Sequence, residues 1–184
     1  MPSVFPKPYA DLVARLRVTC GFVMVAAFAW FSRPDARSLA LGLPVSLLGL
    51  ALRAWATGHV EKNIRLAESG PYAYVRNPLY VGTLLVAAGF AIASRQWGLG
   101  VLFAVVFVFI YLPAIELEEQ HLKKLFPAFA GYADRVPALW PRFARIRQPG
   151  RFRWELYVRN REYQAGIGFA VGAGYLIFRA LARG

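Results

Sequence analysis

The sequence predicts an all-α integral membrane protein, a polytopic bundle of about five membrane-spanning helices. Three observations carry this prediction. Apolar residues make up 58% of the 184 positions, whereas an ordinary soluble domain holds about 45–50%. The apolar residues form runs that approach the roughly 20 residues a spanning helix needs. The 22 Lys and Arg residues outnumber the 10 Asp and Glu residues and lie between those runs, which suits contact with lipid headgroups. We therefore expect the lipid bilayer as a partner and no nucleic acid.

Each predicted helix follows from one apolar run. We expect a single membrane domain over residues 1–184, divided into an N-terminal hairpin (12–57), a core (58–142) around a second hairpin (77–115), and an amphipathic linker with the last helix (143–184). The predicted helices are Leu12–Phe31, Leu39–Thr57, Asn77–Ser94, Gln96–Ile115 and Tyr163–Phe178. Two of them, the first and the last, have short uncharged centres.

The positions of the basic residues predict the orientation. The segment Glu116–Glu162 carries ten Lys and Arg residues, and His59–Arg76 carries three. The connections on the opposite side of the predicted bundle, Ser32–Ser38 and the turn at Arg95, together hold three. The positive-inside rule therefore places the basic segments in the cytoplasm. Arg exceeds Lys 18 to 4, a bias of GC-rich genomes, so we expect a bacterial inner membrane.

Small residues in the last predicted helix indicate close helix packing. Gly168 and Gly172 form a G-x-x-x-G pattern in an apolar helix, which permits two helices to approach each other closely. This pattern predicts packing within the chain or a homodimer. Cys20 is the one cysteine of the chain, so no disulfide framework is expected.

The first segment whose side chains could bind a ligand or catalyse a reaction is the loop that enters the third predicted helix. Gly70-Pro71 is a turn signal, Asn77 is a candidate N-cap, and Pro78 suits a first helical position. Free backbone N–H groups at such a helix start favour an anion. Arg76 adds a planar, bidentate donor for a carboxylate or phosphate. Three tyrosines crowd the same place: Tyr72, Tyr74 and Tyr80. Arg and Tyr are also ordinary interfacial anchors, which is the alternative interpretation.

The second segment follows the fourth predicted helix. Glu116, Glu118 and Glu119 leave the membrane together, with His121 close behind. If the helix continues, Glu116 and Glu119 share a face with Lys123, so a solvated helical face explains them. The alternative is that these carboxylates bind ribose hydroxyls and a cationic ligand.

Together, and in this order, the two segments resemble the isoprenylcysteine carboxyl methyltransferase family and the related phospholipid methyltransferases. That family carries G-x-Y-x-x-x-R-H-P-x-Y-x-G, a helical hairpin, E-E-x-x-L, and an aromatic segment ending in V-P-x-x-x-P. The resemblance covers about Ala51–Arg142. The matching residues are Gly70, Tyr72, Arg76, Pro78, Tyr80, Gly82, Glu118, Glu119, Leu122, Tyr132, Val136, Pro137 and Pro141, with Phe129 at the first tyrosine position of the aromatic segment.

Three positions depart from the family pattern. Asn77 replaces the His of R-H-P, Phe126 replaces a Gly, and Ile64 stands where many relatives have His. The first change keeps a donor and removes a titratable imidazole. Cofactor binding is compatible with these changes, whereas the identity of the methyl acceptor is open.

The resemblance implies S-adenosylmethionine as methyl donor, held in a cytoplasmic pocket between the hairpin and the segment after it. It implies Arg76 and Glu119 as catalytic residues. The implied cofactor-binding residues are Tyr72, Tyr74, Arg76, Asn77, Pro78, Tyr80, Glu118, Glu119, His121 and Tyr132. The acceptor would be a lipophilic carboxylate such as a prenylcysteine, or an amine. A carboxylate needs no general base, whereas an amine would need one of Glu118, Glu119 or His121.

Two other functions stay open at this point. Membrane sterol reductases carry a similar loop, R-H-P-N-Y-x-G-D, and use NADPH, but Leu79 and Thr83 replace two of its residues here. A non-enzymatic helical membrane protein would need only interfacial anchors and packing glycines. Metal-dependent hydrolysis is disfavoured, because the chain lacks H-E-x-x-H and has two histidines, His59 and His121.

Overall fold

The computed structural model describes residues 7–142 and 150–182. Seven helices make up the described fold, and the predicted all-α membrane architecture is confirmed. In the described residues, pairing of extended backbone is limited to one bridge between Glu61 and Arg65. The predicted start of the linker at residue 143 lies outside the described residues. The helices are α1 (Lys7–Phe31), α2 (Ala36–Thr57), α3 (Pro78–Ser94), α4 (Trp97–Leu125), α5 (Phe129–Arg135), α6 (Trp154–Arg159) and α7 (Tyr163–Leu181).

Three of these helices, α2, α4 and α7, are long and apolar enough to cross a membrane. The other two predicted spans are shorter. In α1 the apolar part is Thr19–Phe31, and α3 has 17 residues, which is about the practical minimum for a span. Five spans therefore stay a prediction, whereas three helices meet the requirement of length and composition.

The fourth helix is longer than the sequence predicted. It begins at Trp97 and runs to Leu125, so the charged residues after Ile115 are helical. A π-helical turn at Phe107–Tyr111 interrupts it, and Pro113 follows in the next turn. A π-helical turn changes which side chains face inward and is common at functional sites. Here it brings Tyr111 to the wall of the cavity described below.

Small residues let α2 and α3 pack with their backbones in contact. A Cβ built on Gly49 would lie 2.6 Å from the carbonyl oxygen of Gly82, and one on Gly89 would collide with the backbone nitrogen of Ser46. The Ser46 hydroxyl donates to the carbonyl oxygen of Val86 at 2.9 Å. Such close approach and interhelical hydrogen bonding stabilise helix pairs in lipid. The sequence analysis missed this contact, because it examined only the glycines of the last helix.

The glycines of α7 have different surroundings. A Cβ on Gly168 would meet open space, whereas a Cβ on Gly172 would lie 3.0 Å from the ring of Phe90. One half of the G-x-x-x-G pattern therefore packs inside the chain, and the predicted homodimer stays a prediction. At its far end α7 is tied to α1, because the Arg179 guanidinium donates to the carbonyl oxygens of Ala29 and Trp30.

The two short connections lie together at one end of the bundle. Arg95 pairs with Asp35 at 2.5 Å, and the Arg33 amide donates to the Ser94 carbonyl oxygen at 2.8 Å. Asp35 caps α2 by accepting from the Ser38 amide at 2.7 Å, which lowers the pKa of the Asp35 carboxyl group. The charge argument requires these connections to share a side. The assignment of that side as non-cytoplasmic stays a prediction.

Candidate active site

A cavity of about 700 Å³ opens at the other end of the bundle. Its walls come from the end of α2, the start of α3, the charged part of α4, helix α5 and the start of α7. Nine of the ten residues proposed from the sequence line it: Tyr72, Arg76, Asn77, Pro78, Tyr80, Glu118, Glu119, His121 and Tyr132. Tyr74 is the exception, and its carbonyl oxygen instead accepts from the Arg142 amide at 3.0 Å. The two segments that are distant in sequence therefore meet around one space.

Backbone hydrogen bonds fasten the loop before α3 to the segment after α5. The Arg76 amide donates to the Pro137 carbonyl oxygen at 2.9 Å, and the Asn77 amide donates to that of Ala138 at 3.2 Å. The loop begins at Gly70, whose φ of +61° favours glycine. Because these bonds use main-chain atoms, they hold the loop whatever the cavity contains.

Arg76 lies between this segment and α4. Its Nη1 donates to the Ala133 carbonyl oxygen at 2.9 Å, and its Nε lies 3.1 Å from Oε1 of Glu119. That distance makes an ion pair, but the N–H is not aimed at the oxygen, so Nε is buried without a hydrogen bond among the described residues. A buried donor of this kind costs free energy unless a ligand or water satisfies it. Arg76 is therefore prepared to donate to a ligand atom.

Asn77 occupies the N-cap position of α3, but its side chain does not cap the helix. The expectation of an N-cap hydrogen bond is wrong, because the side chain is turned toward Glu119 and its oxygen does not accept from the first turn of α3. The side-chain nitrogen donates to Oε1 of Glu119 at 3.0 Å and to the Ala138 carbonyl oxygen at 3.2 Å. Asn77 thus links the R-N-P loop directly to the carboxylates of α4.

The carboxylates of α4 point to different surroundings. Glu119 faces Arg76 and Asn77, whereas Glu116 accepts from Gln120 one turn later at 3.2 Å and does not line the cavity. The predicted solvated face shared with Lys123 therefore does not describe Glu119.

Glu118 is exposed at the mouth of the cavity, where the Tyr80 hydroxyl donates to its Oε2 at 3.1 Å. The ring of His121 lies 3.2 Å from the side-chain oxygen of Asn63, whose backbone is left-handed at φ +60°. These residues bring one carboxylate and one imidazole to the entrance.

Two buried tyrosines form the inner wall. The Tyr132 hydroxyl donates to the Tyr72 carbonyl oxygen at 2.8 Å, and Tyr132 packs with Phe129 and Val136 in a small core. Burial raises the pKa of both tyrosines above the ordinary value, with the nearby Glu118 carboxylate raising that of Tyr72 further. Both side chains therefore stay neutral donors throughout the physiological range.

The sequence analysis did not assign a second polar group of the cavity wall. Arg53 of α2 forms a two-pronged ion pair with Glu162, with Nε 2.7 Å from Oε1 and Nη2 3.1 Å from Oε2. Its Nη1 donates to the Thr83 hydroxyl at 2.6 Å. A charged residue inside an apolar run is itself a signal of function, which could have singled out Arg53. Glu162 carried no such signal, because it lies in a mixed segment.

Comparison with known proteins agrees with this geometry. A model of the phospholipid methyltransferase family matches residues 40–128. The cobalt-zinc-cadmium resistance protein CzcN of Cupriavidus metallidurans is 34% identical over 162 residues, covering 84% of this chain and 73% of the relative. The nickel-cobalt-cadmium resistance protein NccN of Alcaligenes xylosoxydans xylosoxydans is 29% identical over 159 residues, covering 80% and 75%. No solved structure is significantly similar.

The apolar helices are those of an integral membrane protein. The chain belongs to the phospholipid methyltransferase family. The resemblance seen in the sequence is thereby confirmed at the level of the family. The family match ends before Tyr132 and Glu162, so those two parts of the cavity wall lie outside it.

Proposed function

We propose that this protein transfers a methyl group from S-adenosylmethionine to a lipidic or small hydrophobic acceptor at the membrane interface. One observation carries the proposal most directly. The loop before α3 and the paired glutamates of α4 meet across one cavity, with Asn77 Nδ2 3.0 Å from Oε1 of Glu119. Family membership supports the reaction class.

The residues of the cavity suit this cofactor. Its volume of about 700 Å³ lies within the range of about 300–1,000 Å³ typical of ligand sites. Glu119 pairs with Arg76, whereas Glu118 accepts from the neutral Tyr80 hydroxyl, which leaves the Glu118 charge for a cationic ligand. The unsatisfied Nε of Arg76 suits a ligand carboxylate. The tyrosine rings offer faces to a sulfonium.

The chain's own residues would act mainly by positioning. The cofactor would supply an electrophilic methyl group, so a carboxylate acceptor is nucleophilic enough without a base. Arg76 and Asn77, fixed by main-chain hydrogen bonds, would orient the reactants, and Tyr72 and Tyr132 would exclude water. For an amine acceptor, Oε1 of Glu118 is the proton acceptor available at the mouth, because Tyr80 donates to Oε2.

The names of the two relatives concern metal resistance, but we assign no metal ligand here. Among the described residues, no group of three His, Cys, Asp or Glu side chains could hold a metal ion. The proposal of methyl transfer rests on the family match and on the lining of the cavity.

Isothermal titration calorimetry tests the proposal on the purified protein in nonionic detergent. We expect the wild type to bind S-adenosylmethionine and S-adenosylhomocysteine. Glu119→Gln and Arg76→Lys should each weaken binding by roughly tenfold, the effect of one hydrogen bond to a charged group. The matched control is Glu116→Gln, one turn earlier on α4 and outside the cavity, which should bind as the wild type does.

Two results would contradict the proposal. A wild type that binds neither compound cannot be a methyltransferase of this kind, and consumption of NADPH in a lipid-dependent assay would favour the reductase alternative. If Arg76→Lys and Glu119→Gln both leave binding and methyl transfer intact, the residues assigned here do not form the site.

A further inference from the structure

The cavity has a second polar end, formed by Arg53, Arg161 and Glu162. Arg53 joins three helices there, because its guanidinium pairs with Glu162 before α7 and donates to Thr83 and to the Leu79 carbonyl oxygen of α3. The Glu162 side chain is 7% exposed and that of Arg53 is 24% exposed. This end lies outside the R-N-P loop and the paired glutamates.

A buried ion pair in a membrane-spanning helix is costly and marks a functional path by default. Arg53 lies four residues before the end of α2, beside the first turns of α3. Thr83, which it contacts, is six residues after Asn77, so this end lies about 9 Å further along the helix axis. The pair therefore lies deeper toward the bilayer than Glu119 and Arg76 do.

Arg161 adds a second observation. Its backbone is left-handed, with φ +55°, because it ends α6 in a helix C-cap: the Arg161 amide donates to the Val158 carbonyl oxygen at 2.9 Å and the Glu162 amide to that of Tyr157 at 3.2 Å. This turn directs the chain into α7 immediately before Glu162 and brings Arg161 to the cavity wall. No described residue pairs with the Arg161 guanidinium.

The charges of the two ends differ in sign. At the deeper end, the guanidinium groups of Arg53 and Arg161 face one carboxylate, Glu162, so one positive charge remains. At the other end, Arg76 pairs with Glu119 and Glu118 accepts only from the Tyr80 hydroxyl, so one negative charge remains. A methyl donor with a cationic sulfur fits the negative end. The positive end suits an oxyanion, and Arg53 Nη2 keeps one N–H that no described residue accepts.

We infer that Arg53 and Arg161 bind the anionic group of the methyl acceptor, a carboxylate or a phosphate, and that Glu162 holds Arg53 in place for this role. The inference rests on the proposed function for the identity of the ligand. It makes Arg53 and Arg161 determinants of acceptor specificity and Glu162 a positioning residue. Lys62 and Arg65 also line the cavity and are exposed, as Arg161 is, so a variant of Arg161 alone is needed to separate its contribution from theirs.

Direct binding tests the inference with two pairs of probes, measured by microscale thermophoresis in nonionic detergent. N-acetyl-S-farnesylcysteine is compared with its methyl ester, which lacks the carboxylate. Dioleoylphosphatidic acid is compared with dioleoylglycerol, which lacks the phosphate. We expect one anionic probe to bind roughly tenfold more tightly than its neutral counterpart. The probe that does so distinguishes a carboxylate from a phosphate acceptor.

Variants then assign the effect to residues. Arg161→Gln should weaken binding of the preferred anionic probe by roughly tenfold and leave the neutral probe unchanged. Because Arg161 is exposed, this variant should fold. Arg159→Gln, exposed on α6 and outside the cavity, is the matched control and should bind as the wild type does. The double variant Arg53→Gln with Glu162→Gln should lose anion selectivity, whereas Arg53→Lys should retain part of it.

S-adenosylhomocysteine binding is measured on the same samples and should not change in any of these variants. Equal binding of the anionic and neutral probes, no binding of either anionic probe, or an Arg161→Gln variant that binds like the wild type would overturn the inference. A wild type that binds an anionic probe through Arg161 but no S-adenosylhomocysteine would instead contradict the proposed function. The two failures are therefore distinguishable.

Discussion

The two polar ends of the cavity are built in different ways. The Arg76–Glu119 end comes from two compact segments, and its pair is moderately exposed, at 17% and 19%. The Arg53–Glu162 end is assembled from α2, α3 and the start of α7, and its carboxylate is 7% exposed. The two guanidinium groups do not differ in this direction, since Arg53 is 24% and Arg76 17% exposed. The carboxylates do: Glu119 can exchange partners with a ligand at lower cost than Glu162, which is buried and held by two contacts from Arg53. The first end is therefore suited to turnover and the second to fixed recognition.

The largest expected effect comes from breaking the ion pair between Arg53 and Glu162. Glu162→Ala leaves the Arg53 charge uncompensated inside the bundle, which should lower the free energy of unfolding by about 3–5 kcal/mol. A denaturant titration in nonionic detergent, followed by tryptophan fluorescence, measures this. Glu119→Ala should cost about 1 kcal/mol or less, because the Glu119 carboxylate is more exposed than that of Glu162 and makes a looser ion pair. Equal losses in the two variants would remove the difference between the ends.

The double variant Arg53→Met with Glu162→Leu is the control for that prediction. It removes both charges together, so stability should return close to the wild-type value or exceed it. If the double variant is as unstable as Glu162→Ala, the loss comes from packing of the side chains and not from an uncompensated charge.

The next prediction concerns the contact between α2 and α3, which positions both ends of the cavity. Gly89→Ala places a methyl group against the backbone of Ser46 at the contact between α2 and α3, which should cost about 1–3 kcal/mol. Both ends depend on these helices, so binding at both should weaken. Gly168→Ala, which would meet open space, should leave stability and binding unchanged. A Gly89→Ala variant with wild-type stability would contradict the close contact.

The next prediction concerns Asn77, which links the loop before α3 to Glu119. Asn77→Asp places a second carboxylate beside Glu119 in place of the amide donor at 3.0 Å. We expect S-adenosylhomocysteine binding to weaken by more than about tenfold, because like charges at this distance repel. Asn77→His restores the residue found in the family pattern and keeps a donor, so its binding should stay within about threefold of the wild type. Calorimetry would contradict this if Asn77→Asp binds as tightly as Asn77→His.

The smallest effect concerns the tyrosine wall. Tyr132→Phe removes the hydrogen bond of 2.8 Å to the Tyr72 carbonyl oxygen and should cost about 1 kcal/mol at neutral pH. Because burial raises the pKa of Tyr132, the unfolded tyrosine releases its proton near pH 10 while the folded one keeps it. Wild-type stability should therefore fall as the pH rises above about 10.

The Phe variant checks the direction of that titration. Without the Tyr132 hydroxyl, the loss of stability above pH 10 should be smaller than in the wild type. An equal or larger loss in Tyr132→Phe would show that other groups cause the alkaline effect.

Much of this arrangement could be predicted from the sequence, since it rests on local patterns. Long apolar runs, the Pro78 helix start and the glutamates after Ile115 are contiguous signals, and they located the helices and one end of the cavity. Glu162 could not be found in this way, because its partner Arg53 is 109 positions away. The contact between Gly49 and Gly82 was missed for the same reason, since the sequence of one helix does not show which helix packs against it.

The Asn77 side chain shows a second limit of sequence patterns. Its position before Pro78 predicted an N-cap, and the backbone does begin α3 there. The side-chain nitrogen donates to Glu119, and in that orientation the side-chain oxygen does not accept from the first turn of α3. Tertiary contacts therefore determine the orientation of the Asn77 side chain, whereas the local sequence determines where the helix backbone begins.

A structure determined with S-adenosylhomocysteine bound tests the central claim most directly, since it shows which end holds the nucleoside ligand. We expect density for the ligand against Arg76 and Glu119. The Arg53–Glu162 ion pair should be intact, and the end of the cavity beside it should be empty. Density against Arg53 and Arg161, or no density in the cavity at saturating ligand, would contradict the claim.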